Sequence, residues 1–246
     1  MAVGPHLIAR TASKLLSRRT LSLLRFDLLR ATTRLRQRRA TERPARRRLH
    51  FGCGSTQVQG WLNVDLTHSD QNVDLTAGPL PWPDGTFDVA ASQHVIEHLE
   101  LTSELLPLLT ELSRVLVPGG ELWLSCPDME KLCRSYLEHR MRDLVEDRER
   151  RSRLHWKRPW TLDAEVGIAG VPTSQMLNSV FYQGHEHRNL FDFELLEWAL
   201  RRSGFTEVER TDETAWLERF PEFPSRGDDA QSLYVRARIM KRSSGG

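Results

Sequence analysis

Two glycines in Leu49-His50-Phe51-Gly52-Cys53-Gly54-Ser55, and the carboxylate that ends Leu62-Asn63-Val64-Asp65, are the residues whose type and spacing point most directly to chemistry. An apolar run that turns on glycine leaves bare backbone, which a cofactor can approach where a side chain would block it. A carboxylate at the tip of the neighbouring strand can accept two hydrogen bonds from ribose hydroxyls. Together these parts describe a nucleoside-cofactor site on an α/β sheet. A nicotinamide dinucleotide fits them less well. Its fingerprint wants a third glycine at position 57, where this chain has Gln57, and an acidic residue about 20 positions on, later than Asp65. A glycine turn with no ligand is the plain alternative.

The histidines form two groups. His94-Val95-Ile96-Glu97-His98 has the spacing of the inverted zinc-peptidase motif, which puts histidines i and i+4 on one helical face. Here the motif follows a buried strand directly, and a short motif outside its context is weak; no metal is expected. His185-Glu186-His187 closes a long irregular stretch. Histidines two apart on a loop can reach a pocket, one of them as general base for a hydroxyl. His187 is the candidate; the alternative is that both are solvated or hydrogen-bonded locally. Tyr182 and the Trp156/Trp160 pair are candidate apolar walls for a sugar or a lipid, and equally candidate core.

These residues need a scaffold, and the hydrophobic pattern supplies one. Strands are expected at Leu49–Phe51, Leu62–Asp65, Val73–Leu75, Thr86–Ser92 and Glu121–Ser125, with helix over Glu104–Leu116. Pro107 is tolerated because it falls in the first turn of that helix. Residues 129–185 break the alternation: Met129–Arg153 reads as a charged helix or helix pair, followed by irregular chain of the kind that forms lids. Phe193–Arg202 is again helical and capped by Gly204; Thr206–Glu209 and Ser232–Ile239 are final strands. Only the nine residues Gly52–Gly60 separate the first two strands, fewer than the dozen or so of a helical crossover. The usual early helices are therefore expected to be clipped or lost.

The net charge of +2 conceals an asymmetry. Residues 1–48 carry 14 Lys/Arg against Asp27 and Glu42, and the remaining chain carries 21 basic and 31 acidic residues. His6 to about Arg39 is expected to be an amphipathic helix with Leu21, Leu24, Leu28 and Leu35 on one stripe. Such an arm can lie on an anionic membrane surface through residues 6–40, pack its leucines on the body, or serve as a mitochondrial-type presequence. Nucleic acid is the weaker partner, since Phe26 is the arm's one aromatic. No apolar run approaches the roughly 20 residues of a membrane span, and three unpatterned cysteines argue for a reducing, cytoplasmic setting.

In order along the chain, Leu-His-Phe-Gly-Cys-Gly (49–54), Gly-Trp-Leu-Asn-Val-Asp-Leu (60–66), Leu-Pro-Trp-Pro-Asp-Gly-Thr-Phe-Asp-Val (80–89), His-Val-Ile-Glu-His-Leu (94–99) and Arg-Val-Leu-Val-Pro-Gly-Gly (114–120) resemble the class I S-adenosylmethionine-dependent methyltransferases. Asn-Leu-Phe-Asp-Phe-Glu-Leu-Leu (189–196) and Ser-Gly-Phe-Thr-Glu-Val (203–208) extend the likeness. More narrowly, it is to a bacterial family associated with cell-surface polysaccharide synthesis. The resemblance implies a Rossmann-like, mostly parallel seven-stranded sheet with an antiparallel last strand. With the chain's own charge and helix pattern, this gives a basic arm (1–48), a methyltransferase body (49–240) with a helical cap at about 129–185, and a frayed tail (241–246). The cofactor would be S-adenosylmethionine. Gly52 and Gly54 would border its methionine end, Asp65 its ribose, and Asp74 and Leu75 its adenine, with Gln93, His94 and Val95 lining the site. Either His187 or His94 would be the base for methylating an oxygen of a glycan or lipid-linked saccharide. A small-molecule methyltransferase and a non-catalytic adaptor with the same fold are the alternatives.

Overall fold

In the computed structural model of the protein, residues 17–37, 44–155, 170–183 and 186–240 are described. Among them, strands β1 (Arg48–Phe51), β2 (Leu62–Asp65), β3 (Gln71–Asn72), β4 (Phe87–Gln93), β5 (Leu116–Pro127), β6 (Phe205–Thr211) and β7 (Ser232–Ile239) build one sheet. Its order is β3-β2-β1-β4-β5-β7-β6. β1 to β5 pair in parallel, and β7 runs antiparallel to both β5 and β6. This is the mixed, mostly parallel seven-stranded sheet that the resemblance implied.

Parallel strands must be covered on both faces, because their connections cross over the sheet. The two-residue period of the strands sorts their side chains accordingly. Leu122 and Leu124 join Leu49, Phe51 and Val64 in a core roofed by α2 (Leu106–Val115) and α6 (Phe193–Arg202). Trp123, between those two leucines, faces the other way, into Trp61, Trp216, Phe220 and Phe223. Trp216 lies on α7 (Glu213–Arg219), a short helix capped by the Asp212 carboxylate, which accepts from Ala215 N at 2.7 Å.

The segments between β1 and β2 and between β2 and β3 are turns and bends without helix. β3 lies two residues earlier than the pattern predicts. The Val73 amide still donates to the Asp65 carbonyl at 2.8 Å, and beyond it the Asp74 carboxylate takes the Thr76 amide at 3.0 Å and turns the chain out of the sheet. β5 is longer than predicted because Pro118-Gly119-Gly120 stays in the strand, with a register shift against β4. Gly120 permits this, since a Cβ there would lie 2.8 Å from the Val117 carbonyl oxygen.

The charged segment after β5 is a helix pair, α3 (Met129–Leu137) and α4 (Met141–His155), joined by α5 (Thr173–Tyr182). Leu132, Met141, Val145, Met176 and Val180 give these three helices a small core of their own. Of the arm, α1 (Arg18–Gln37) is described. The predicted helix before residue 17, Trp156, Trp160, His185 and the tail 241–246 lie outside the described residues. No helix among those described is long and apolar enough to cross a membrane.

Candidate cofactor cleft and the histidine cluster beside it

The carboxyl ends of β1, β2 and β4 meet at Gly52, Asp65 and His94, the edge at which open α/β sheets bind ligands. Gly52 has φ +64°, and a Cβ there would overlap Val95 at 2.3 Å. Its smallness therefore serves close packing of the turn against Val95. Gly54, at φ +53°, borders open space: a Cβ would meet nothing within 4 Å. Its amide donates to Asp65 Oδ2 at 2.8 Å, and the Leu66 amide donates to Oδ1 at 2.6 Å. Two backbone amides thus fix the carboxylate, and each oxygen keeps a second lone pair for a ribose hydroxyl.

Two cavities share Gly52 and His94 as walls. One, of about 330 Å³, runs along Asp65, Leu75 and Thr76 to Phe26 and Arg30 of α1. The other, of about 520 Å³, lies along Cys53–Thr56 and Gln93 to Pro224–Arg226. Gln93 Nε2 is buried there without a partner among the described residues, an unused donor of the kind a ligand satisfies. The Cys53 thiol is pushed up to about 11, first by burial and then by the Asp65 charge, so it stays protonated.

Asp74 departs from its expected role. It is 1% exposed, and Oδ1 accepts from the Thr76 amide and hydroxyl while Oδ2 accepts from Arg34 Nε at 2.7 Å and Arg30 Nε at 3.1 Å. Four donors fill the roughly four acceptor positions of a carboxylate, which leaves none for an adenine amino group. Burial works to raise this carboxyl, but Thr76, Arg34 and Arg30 more than offset it and hold it below its ordinary value.

The same contacts settle how α1 sits. Arg30, Thr33, Arg34 and Gln37 share one face of the helix, and that polar face docks: Gln37 Oε1 accepts from the Asp74 amide at 3.0 Å, and Arg30 also pairs with Glu104 at 3.2 Å. Three leucines of the stripe turn away from the body. Leu24, Leu28 and Leu35 lie about half a turn away and are 47%, 66% and 66% exposed.

His94 is held too tightly to act as a base. Its backbone is left-handed (φ +57°), its Nδ1 meets Glu97 Oε1 at 3.2 Å, and its Nε2 meets Asp228 Oδ2 at 3.0 Å. With a carboxylate on each ring nitrogen, no lone pair faces an incoming hydroxyl. Tyr234 donates to the other Asp228 oxygen at 2.6 Å. Burial opposes ionisation of Asp228, yet His94, Arg226 and Tyr234 keep it well below its ordinary value. Neither Asp228 nor Tyr234 was singled out from sequence, because each sits in a run without motif character. Asp228 and His94 lie 134 residues apart in the chain.

His98 turns away from His94. Its ring meets the His187 ring edge-on, centroids 4.9 Å apart, and its Nδ1 lies 3.2 Å from the Glu186 carbonyl oxygen. The i and i+4 pairing of the zinc-peptidase motif is therefore absent, since residues 96–98 form a 3-10 turn. His187 is buried, and its imidazole is lowered to about 4, chiefly by burial; it is a weak base at neutral pH. The exposed Tyr182 (59%) lines neither cavity.

Residues 49–124 match the family described as "Methyltransferase domain". A protein of Schizosaccharomyces pombe described as an uncharacterized methyltransferase is 32% identical over 103 residues, spanning 39% of this chain and 36% of that one. The chain thus covers about a third of that relative's length. Among solved structures, an S-adenosylmethionine-dependent methyltransferase of Mesorhizobium loti is similar at 21% identity and TM-score 0.39, over 85% of this chain and 99% of that one. A phosphoethanolamine N-methyltransferase 2 of Haemonchus contortus is similar at 14% identity and TM-score 0.42, over 86% and 53%. The segment that matches methyltransferase domains thus lies within a Rossmann-like sheet, parallel through β1 to β5 and closed by antiparallel β7 and β6.

Proposed function

We propose that this protein transfers a methyl group from S-adenosylmethionine to an oxygen of a glycan or lipid-linked saccharide presented at a membrane surface. The observation that carries the transferase part is the cleft at Gly52, Gly54 and Asp65, inside the segment that matches methyltransferase domains. Asp65 would hold the ribose, the open backbone at Gly54 and the unused Gln93 amide would receive the methionine end, and Phe26 with Leu75 would wall the adenine end. When bound, the cofactor supplies a methyl on a positively charged sulfur, which a nucleophile takes while a neutral thioether leaves. The protein's own part is to orient and desolvate the reactants. α1 closes one end of the cleft, and the Glu97–His94–Asp228 chain keeps its floor rigid.

The saccharide acceptor rests on the sequence resemblance, and the membrane setting on α1. A helix that docks by its arginines and turns Leu24, Leu28 and Leu35 outward, with Arg25 and Arg36 beside them, has the apolar face and cationic flank of an interfacial helix. Full-length protein should sediment with phosphatidylglycerol vesicles, and Leu24→Ser/Leu28→Ser/Leu35→Ser should stay in the supernatant; failure of the wild type to sediment removes the membrane reading. Labelled methyl should pass from S-adenosylmethionine to a lipid-linked saccharide fraction. Transfer to small aromatic acids alone would make the acceptor a free small molecule.

A further inference from the structure

We infer that Glu97, His98 and His187 form a binding site for a divalent transition-metal ion, zinc foremost, at the edge of the proposed cofactor cleft. One ligand atom from each residue lies within 4.8 Å of the other two. Two atoms of this group lack any partner among the described residues: Glu97 Oε2 and His187 Nδ1. Their side chains are deeply buried, the residues being 1% and 8% exposed. A buried polar atom left unpaired costs about 1–3 kcal/mol, more when charged, so two on residues of one cluster call for a ligand.

The donor set decides which ligand. Two imidazole nitrogens and one carboxylate oxygen suit zinc and its first-row neighbours, whereas magnesium and calcium prefer oxygen alone. The surrounding bonds orient the donors as metal sites require. The Glu186 carbonyl takes the proton of His98 Nδ1, which leaves Nε2 with its lone pair. His94 braces Glu97 through Oε1, so Oε2 is the free oxygen. Burial keeps His187 neutral at ordinary pH. Binding would bring the three atoms, now within 4.8 Å of one another, to roughly 3.3 Å apart, the separation set by metal bonds of about 2.0–2.1 Å. The buried guanidinium of Arg148 interacts with Glu97 and opposes a cation, so micromolar affinity is expected.

Three protein ligands leave a coordination position open. His98 also lines the 330 Å³ cavity, so that position is reachable from the cleft. There the ion would bind an acceptor hydroxyl and favour its deprotonation, the task that neither His94 nor His187 is placed to perform as a base. This role rests on the methyltransferase reading; the site itself does not.

The test uses full-length protein stripped with EDTA. Zinc calorimetry should give one equivalent in the micromolar range, and cobalt(II) should give the visible absorption of a low-coordinate nitrogen/oxygen site. His187→Gln and His98→Gln should each weaken zinc at least tenfold while circular dichroism and the urea midpoint of the metal-free protein hold. No zinc binding by folded wild type, or undiminished binding in both variants, overturns the site. Should one variant fail to fold, the other and the wild-type cobalt spectrum decide. Zinc binding without any S-adenosylmethionine binding would keep the metal site and overturn the methyltransferase reading.

Discussion

Asp74→Asn probes how the arm is held and what holding it does for the cleft. The substitution keeps Oδ1 for Thr76 and puts an amide NH₂ where Oδ2 now receives Arg30 and Arg34. The Arg30 side chain is 19% exposed and Asp74 2%, so this pair counts among charge-assisted bonds of about 1.5–3 kcal/mol. Arg34 is 44% exposed, and solvent screening limits its share to at most about 1 kcal/mol. The sum, about 3 kcal/mol, is roughly two orders of magnitude in the docking equilibrium of α1. Hydrogen exchange should therefore show the amides of residues 21–37 opening about a hundredfold faster in the variant, with β4 and β5 unaltered. Cofactor affinity should fall as well, because Phe26 and Arg30 leave the cavity wall. If α1 exchanges at the same rate in both proteins, the Arg–Asp74 pairing does not hold it and the reasoning fails.

His94→Asn should lower the urea midpoint sharply, because it leaves Glu97 and Asp228 buried without their shared partner, a loss of about 3–5 kcal/mol; an unchanged midpoint would show that the network contributes nothing. With metal chelated, His187 gives a pH signature. Its folded value is about 4 and the unfolded one about 6.5, so between them the unfolded chain binds the extra proton. The stability linked to this group is complete above about pH 6.5 and drains away as pH falls toward 4. His187→Asn should flatten that limb of the profile, and an equally steep limb in the variant would contradict the burial argument.

The sheet was legible because its strands carry dense local signals. α6 and β7 were read to the residue, helped for α6 by the capping glycine at 204. β3 was misplaced because two residues of pairing depend on one side-chain turn at Asp74, which no periodicity announces. α7 and α5 passed unread, being only seven and ten residues long. In α1 the stripe was legible, while its direction stayed open between the body and a membrane surface. Leucines normally face the core, but a buried carboxylate forty residues away takes the arginines instead. The glycines and Asp65 were legible as a site because they are close in sequence. The meeting of Glu97 and His98 with His187 was not, since about ninety residues, including α2, β5 and the cap, intervene and the familiar histidine spacing pointed to His94.

The central claim is that the Gly52–Gly54–Asp65 cleft holds S-adenosylmethionine. Calorimetric titration of full-length protein with S-adenosylmethionine, S-adenosylhomocysteine and NADH tests it most directly, with Asp65→Ala beside the wild type. The account predicts micromolar binding of the first two, none of NADH, and a loss of roughly 10- to 100-fold in the variant, from charge-assisted bonds of about 1.5–3 kcal/mol. Absence of S-adenosylmethionine binding by the folded wild type, or equal affinity in Asp65→Ala, would contradict it.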